Sequence, residues 1–139
     1  QKKELCYSAA KNMNVENLCV KSKIGEHDIQ SLSDDELSVS KHVIEENIRV
    51  VKAAQFLKSN GAEEFGKLMT ESHMSLSKYY KVSTLELDKL VDLANSFGAS
   101  GSKLTGAGFG GAIVTLVKKE LVEELKKYIL DNYPNAKFI

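Results

Sequence analysis

Five of the chain's nine glycines fall between Gly101 and Gly111, and a β-branched run follows them at once. The stretch reads SGSKLTGAGFGGAIVTL, residues 100–116. "SKLT" and "AIVTLVK" can alternate faces and are rich in β-branched residues, so both are expected to be strands. An ordinary two-residue hairpin needs one or two glycines. Here Gly106, Gly108, Gly110 and Gly111 crowd into a six-residue connection, with Ala107 and Phe109 between them. Such a loop takes positive φ more than once and lets something approach its backbone closely. Its successive N–H groups can form an anion-binding concavity. Phe109 would then either plug the loop into the core or wall a pocket. A glycine-rich bulged hairpin that turns a corner and binds nothing is the competing reading. No Lys-Ser/Thr pair closes the loop, so it is not a P-loop. It precedes a strand rather than a helix, so it does not fit the dinucleotide fingerprint either.

Upstream of this hairpin the pattern is helical. Leu5, Ala9 and Met13 mark a first helix without a capping residue ahead of it, as in a chain cut from something longer. "SKIGEHDIQSLSDDE" is polar and aperiodic and reads as a loop. A strong helix follows, capped by Asp34 or Ser33, with Val39, Val43, Val50, Ala54 and Leu57 as its apolar stripe and Asn60-Gly61 as its stop. "AEEFGKLMTESHMSLSKYY" is the next helix, with Phe65, Leu68 and Met69 apolar. "STLELDKLVDLANSFG" is another, with a Ser83–Glu86 capping box, an inner face of Leu87, Leu90, Val91 and Ala94, and Gly98 at its end. After the hairpin, "KELVEELKKYILDNY" turns Leu121, Leu125 and Ile129 inward. Pro134 breaks it, and "AKFI" reads as a short last strand. Helices followed by strand–loop–strand–helix–strand make one α+β domain over residues 1–139, with helices on one face of a small antiparallel sheet.

Nineteen basic residues balance nineteen acidic ones, so the chain has no electrostatic footprint for nucleic acid or an anionic membrane. No apolar stretch approaches spanning length. Cys6 and Cys19 are too few for a disulfide framework and read as reduced thiols, which points to the cytoplasm. His27 and His42 lack ligand-spaced companions, so no metal site is expected. His73 sits on a helix and reads as a surface or packing histidine. Tyr79 and Tyr80 end that helix and read as packing. Glu45, Glu46, Glu63, Glu64 and Glu71 read as solvated helical faces.

"GSKLTGAGFGGAIVTLV" resembles the third signature of the galactokinase branch of the GHMP sugar and metabolite kinases. "LMTESHMSLSKYYKVSTLELDKLVDLA" resembles the helix pair ahead of that signature, "KHVIEENIRVVKAA" the helix before it, and "KKELCYSAA" an opening helix. The likeness covers nearly the whole chain, in the right order. It implies the ferredoxin-like C-terminal domain of a kinase that makes galactose 1-phosphate from galactose and ATP. Thr105, Gly106, Ala107, Gly108, Phe109, Gly110 and Gly111 would then line the active-site cleft. Ser102 is a possible flanking contact, though strand capping explains its hydroxyl as well. ATP and Mg2+ would serve the whole enzyme. The resemblance assigns the phosphate loop, the catalytic aspartate and arginine, and the sugar-contacting tyrosine to a preceding half, so no catalytic or metal-binding residue is expected here, and the isolated chain should be inactive. An N-acetylgalactosamine kinase is similar in this region. So is a non-catalytic sugar sensor that binds a transcriptional regulator. "IGEHD", residues 24–28, mimics the family's first signature but lies far downstream of where that motif belongs, and reads as coincidence.

Overall fold

A computed structural model describes residues 1–139 apart from 107, 108 and 110. Its described residues form six α-helices and one two-stranded antiparallel sheet, in agreement with the α+β expectation. The helices are α1 (Lys2–Asn12), α2 (Glu26–Ser31), α3 (Asp34–Lys58), α4 (Ala62–Ser75), α5 (Leu85–Phe97) and α6 (Val122–Asn132). The strands are β1 (Gly101–Thr105) and β2 (Ala112–Leu116), paired so that Leu104 faces Ile113 and Thr105 faces Ala112. The expected hairpin is therefore present, with the glycine loop as its connection.

Three apolar clusters hold the helices to one another and to the sheet. Ala9, Ala10, Met13, Leu18 and Ile44 join α1 to α3. Ala94, Leu125 and Ile129 join α5 to α6. Val82, Leu87 and Leu104 lie under the root of the glycine loop. Beyond Ser75 the α4 helix widens into a π-helical turn, Leu76–Tyr80, and Lys81 ends it at φ 58°. Turns of this kind are frequent at functional sites.

The α4 helix runs along the edge of β1 that β2 leaves open. Gly66 lies against Ser100 and Gly101, with no room for a side chain on either glycine. One turn on, Thr70 Oγ1 accepts the Ser102 N–H at 3.3 Å. Another turn on, His73 Nδ1 accepts the Leu104 N–H at 3.1 Å. Positions 66, 70 and 73 share one helical face. They cover amides that a bare edge strand would expose.

Several details depart from the sequence expectations. Residues 26–31 are not loop: Asp28 Oδ2 accepts the Gly25 N–H at 2.8 Å and the Lys21 ammonium at 2.7 Å, which starts α2. The "IGEHD" run is thus a helix start. Thr84, not Ser83, caps α5, accepting the Leu87 N–H at 3.2 Å, while Ser83 bonds Asp88 instead. The "AKFI" tail forms no strand; β-prone residues make one only when a ladder partner takes their hydrogen bonds, and none pairs with them here. Finally, Val50, Ala54 and Leu57 are exposed. The inward line of α3 runs instead through His42, Glu46, Arg49, Ala53 and Phe56, all buried or half-buried.

Candidate functional site

The described residues of the glycine loop stand on the surface, on a buried foundation. Thr105, Gly106, Phe109 and Gly111 are exposed; Ala107, Gly108 and Gly110 lie outside the described residues. Gly106 takes φ +77° and Phe109 φ +51°, so the chain does turn through positive φ more than once. Phe109 is 68% exposed, so its ring is not a plug in this domain's core. Its N–H donates to Val82 O at 2.9 Å. Ser102 is fully buried, with its hydroxyl bonded to Val114 O at 3.2 Å and to Thr115 Oγ1 at 2.8 Å.

Both ends of the loop are tied to one segment, residues 73–88. His73 holds the Leu104 amide on the entry side, and Val82 holds Phe109 near the exit. His73 is 1% exposed, which excludes the surface alternative and leaves a buried histidine with hydrogen-bond partners. Because Nδ1 accepts a backbone N–H, the ring proton sits on Nε2, which points at Asp88 Oδ1 at 2.9 Å. Asp88 also accepts Ser83 Oγ at 2.6 Å and Ser77 Oγ at 3.0 Å. Partial burial works against its charge, but the bonds from Ser83, Ser77 and His73 outweigh it and keep its pKa below the ordinary carboxylate value. A lone histidine in a helix carries no signal for this arrangement. The serines at 77 and 83 with Asp88 were the only hint, and only the fold brings them together.

That depressed pKa has a consequence for stability. The unfolded chain binds the Asp88 proton at higher pH than the native one. The stabilisation is therefore complete above about pH 4 and is lost as the pH falls further, through the native value. Asp88→Asn is expected to unfold more easily than the parent at pH 7, with the gap closing as the pH drops below about 4. Urea unfolding at a series of pH values measures this. A gap that does not change with pH would contradict it.

A second polar line runs from α3 to β1. Glu46 accepts Ser72 Oγ at 2.6 Å and Arg49 Nε at 3.1 Å, and Lys103 Nζ donates to Ser72 Oγ at 2.8 Å. His42 pairs with Ser75 Oγ at 2.8 Å and packs on the Tyr80 ring at 4.8 Å. Burial pushes the His42 pKa down. Glu46 is thus not a solvated face: burial opposes its charge, and the Ser72 and Arg49 bonds still hold its pKa low. On the far side of the sheet an apolar groove of about 680 Å3 lies between α5, β2, α6 and the tail, walled by Leu90, Ile113, Val117, Ile129 and Phe138. Glu86, Lys126 and Lys137 line it as well.

What decides the family is the agreement of this hairpin and its helices with known proteins. A model of the C-terminal domain of GHMP kinases matches residues 53–135, which include β1, the loop and β2. The chain belongs to the GHMP kinase family. It is 39% identical to a galactokinase of Clostridium acetobutylicum over 140 aligned residues, covering 96% of this chain and 36% of that protein. A Bacillus subtilis galactokinase is 44% identical over 95 residues, 68% of this chain and 24% of the relative. The fold agrees with a galactokinase of Lactococcus lactis solved in complex with galactose, at a TM-score of 0.82 and 27% identity over 95% of this chain and 36% of that one. A mevalonate kinase of Methanococcus jannaschii is more distant, at a TM-score of 0.50 and 31% identity over 94% of this chain and 32% of that one. The chain spans about a third or less of the length of these relatives.

GHMP kinases imply a nucleotide and its metal, and the described residues fit neither as a complete site. Among them, no group of three or more His, Cys, Asp or Glu side chains could hold a metal ion. The loop, residues 105–111, carries no charged side chain. The nearest ammonium in β1, on Lys103, is bonded to Ser72. The amides of Leu104 and Phe109 are already used within the domain. What the loop presents is a sequence poor in side chains, anchored through the Leu104 and Phe109 amides.

Proposed function

We propose that this chain is the C-terminal domain of an ATP-dependent sugar kinase that makes galactose 1-phosphate, and that the 105–111 loop walls the cleft where sugar and phosphate meet. One observation carries the reading. An exposed loop with few side chains, tied at both ends to a buried framework, sits in a chain that resembles galactokinases over nearly its whole length. Phosphoryl transfer depends chiefly on positioning and on stabilising charge. This domain contributes to the first. Glycines let the reacting groups come close to the backbone, and the hydroxyl of Thr105 stands exposed at the loop's start. The groups that neutralise phosphate and activate the sugar hydroxyl belong to the remainder of the protein, as do the contacts to ATP and Mg2+. A cytoplasmic setting suits this chemistry, and among the described residues no helix is long and apolar enough to cross a membrane.

The test is direct. The full-length protein is incubated with ATP, Mg2+ and either galactose or N-acetylgalactosamine, and the sugar phosphate is followed by phosphorus NMR. Galactose 1-phosphate is the expected product, and the 139-residue chain alone is expected to make none. Preference for N-acetylgalactosamine would reassign the substrate. No sugar phosphate from either would favour the non-catalytic sensor and end the kinase reading.

A further inference from the structure

We propose that the buried His73–Asp88 pair is the positioning device of the glycine loop: the Asp88 carboxylate selects the ring tautomer of His73, and that tautomer holds the Leu104 amide where the loop leaves β1. The inference rests on the reading of the loop as a wall of the active site. His73 is buried and meets the Leu104 backbone amide, so it acts through the backbone and not as a catalytic residue.

The geometry leaves the imidazole no second role. One nitrogen accepts the Leu104 N–H at 3.1 Å and the other donates to Asp88 Oδ1 at 2.9 Å. Without the carboxylate, either nitrogen can carry the proton. The Nδ1–H form would face the Leu104 N–H donor to donor, which repels. Asp88 removes that alternative. The carboxylate is itself held by Ser77 in the π-helical turn and by Ser83 ahead of α5. Val82, beside Ser83, takes the Phe109 amide. One carboxylate therefore organises both anchors of the loop. A core filler would not need this, since leucine would occupy the volume, but it would leave the Leu104 amide of a buried residue unpaired.

Amide geometry supplies a discriminating pair of variants. Asparagine places an acceptor near the position of Nδ1, and glutamine places a donor near that of Nε2. In the full-length protein, His73→Asn is expected to keep the Leu104 amide protected from hydrogen exchange and to hold kcat/KM within about threefold of the parent. His73→Gln is expected to release the Leu104 amide and to lower kcat/KM for galactose by roughly tenfold, mostly in kcat. Asp88→Ala should act like His73→Gln, and the 15N shifts of the His73 ring should show a mixture of tautomers. Asp88→Asn, which keeps an acceptor for Nε2–H, should restore the single tautomer and the protection. Ser33→Ala removes the cap of α3, far from the loop, and measures what destabilisation alone does to turnover. If His73→Gln and Asp88→Ala leave Leu104 and Phe109 as protected as in the parent, the positioning role is wrong. The same holds if the Asn and Gln variants lose activity equally and in step with melting temperature. If the amides are released and turnover is unchanged, the positioning stands and it is the loop's place in the active site that fails. Exchange and ring shifts need no activity, so they decide the positioning role whatever the substrate proves to be.

Discussion

Gly66→Val should cost the protein its fold, or at least lower its melting temperature by roughly 10 °C or more. A Cβ on Gly66 would lie 2.3 Å from the Ser100 carbonyl oxygen, and one on Gly101 would lie 1.8 Å from the Gly66 carbonyl oxygen. These neighbours are backbone atoms of α4 and of Ser100, which leads into β1, and no rotamer change can move them aside. Relief requires α4 to lift from β1. That separation would also break the bonds from Ser102 N–H to Thr70 and from Leu104 N–H to His73. Overpacking and the loss of two buried hydrogen bonds together amount to more than about 3 kcal/mol, a large part of the 5–15 kcal/mol that holds a typical domain. Gly25→Ala is the comparison, because its Cβ would sit at an ordinary 3.5 Å from Asp28 Oδ2. Thermal unfolding and soluble yield of the two variants measure the difference. An unchanged melting temperature for Gly66→Val would mean that the helix–strand crossing is looser than described.

The largest effect on activity is expected at Gly106. The residue takes φ +77°, and a Cβ there would meet nothing within 4 Å among the described residues. A valine would bring backbone strain of about 1–3 kcal/mol, with no Cβ contact to the described residues. Gly98 provides a matched control. It also lies at positive φ, +112°, with nothing within 4 Å, but it ends α5 instead of forming the loop. Gly106→Val is expected to lower kcat/KM for galactose by roughly tenfold or more in the full-length enzyme, equivalent to about 1.4 kcal/mol of lost transition-state stabilisation. Gly98→Val should carry comparable strain and leave turnover near that of the parent. The difference between them isolates what the side chain meets outside this domain, namely substrate or the other half of the protein. Equal activity in both variants would mean that the loop is only a turn.

Periodicity and capping signals were enough to place α1, α3, α4, α5, α6 and the hairpin, but not α2, whose polar residues read as loop. Leu87, Val91 and Ala94 on α5, and Leu125 and Ile129 on α6, are buried as that spacing requires. Gly98 ends α5 in the left-handed conformation that favours glycine. The α3 stripe failed for a physical reason. Its inward line is polar at His42, Glu46 and Arg49 before Ala53 and Phe56 continue it, so a search for apolar residues selects Val50, Ala54 and Leu57, which lie about one residue out of phase. His42 and Glu46 can be buried because partners from α4 and β1 meet them: Ser75, Ser72 and, through Ser72, Lys103.

The glycine loop shows the same division. Its existence, its place between two strands and its likeness to a family signature were legible as a string of residues, since backbone freedom is written in glycine itself. Which residues hold it was not. His73 is separated from Leu104 by 31 residues, and Phe109 is tied to Val82 across α5 and β1. No local pattern marks a histidine as the acceptor for a distant amide. Nothing in the neighbouring sequence marks Gly66 as the residue that lies against Gly101. Local propensity and periodicity determined the elements, because they are properties of neighbouring residues. Only tertiary packing decided the partners of the buried polar groups, because such a group is tolerated only where the fold brings a complementary one within hydrogen-bond reach.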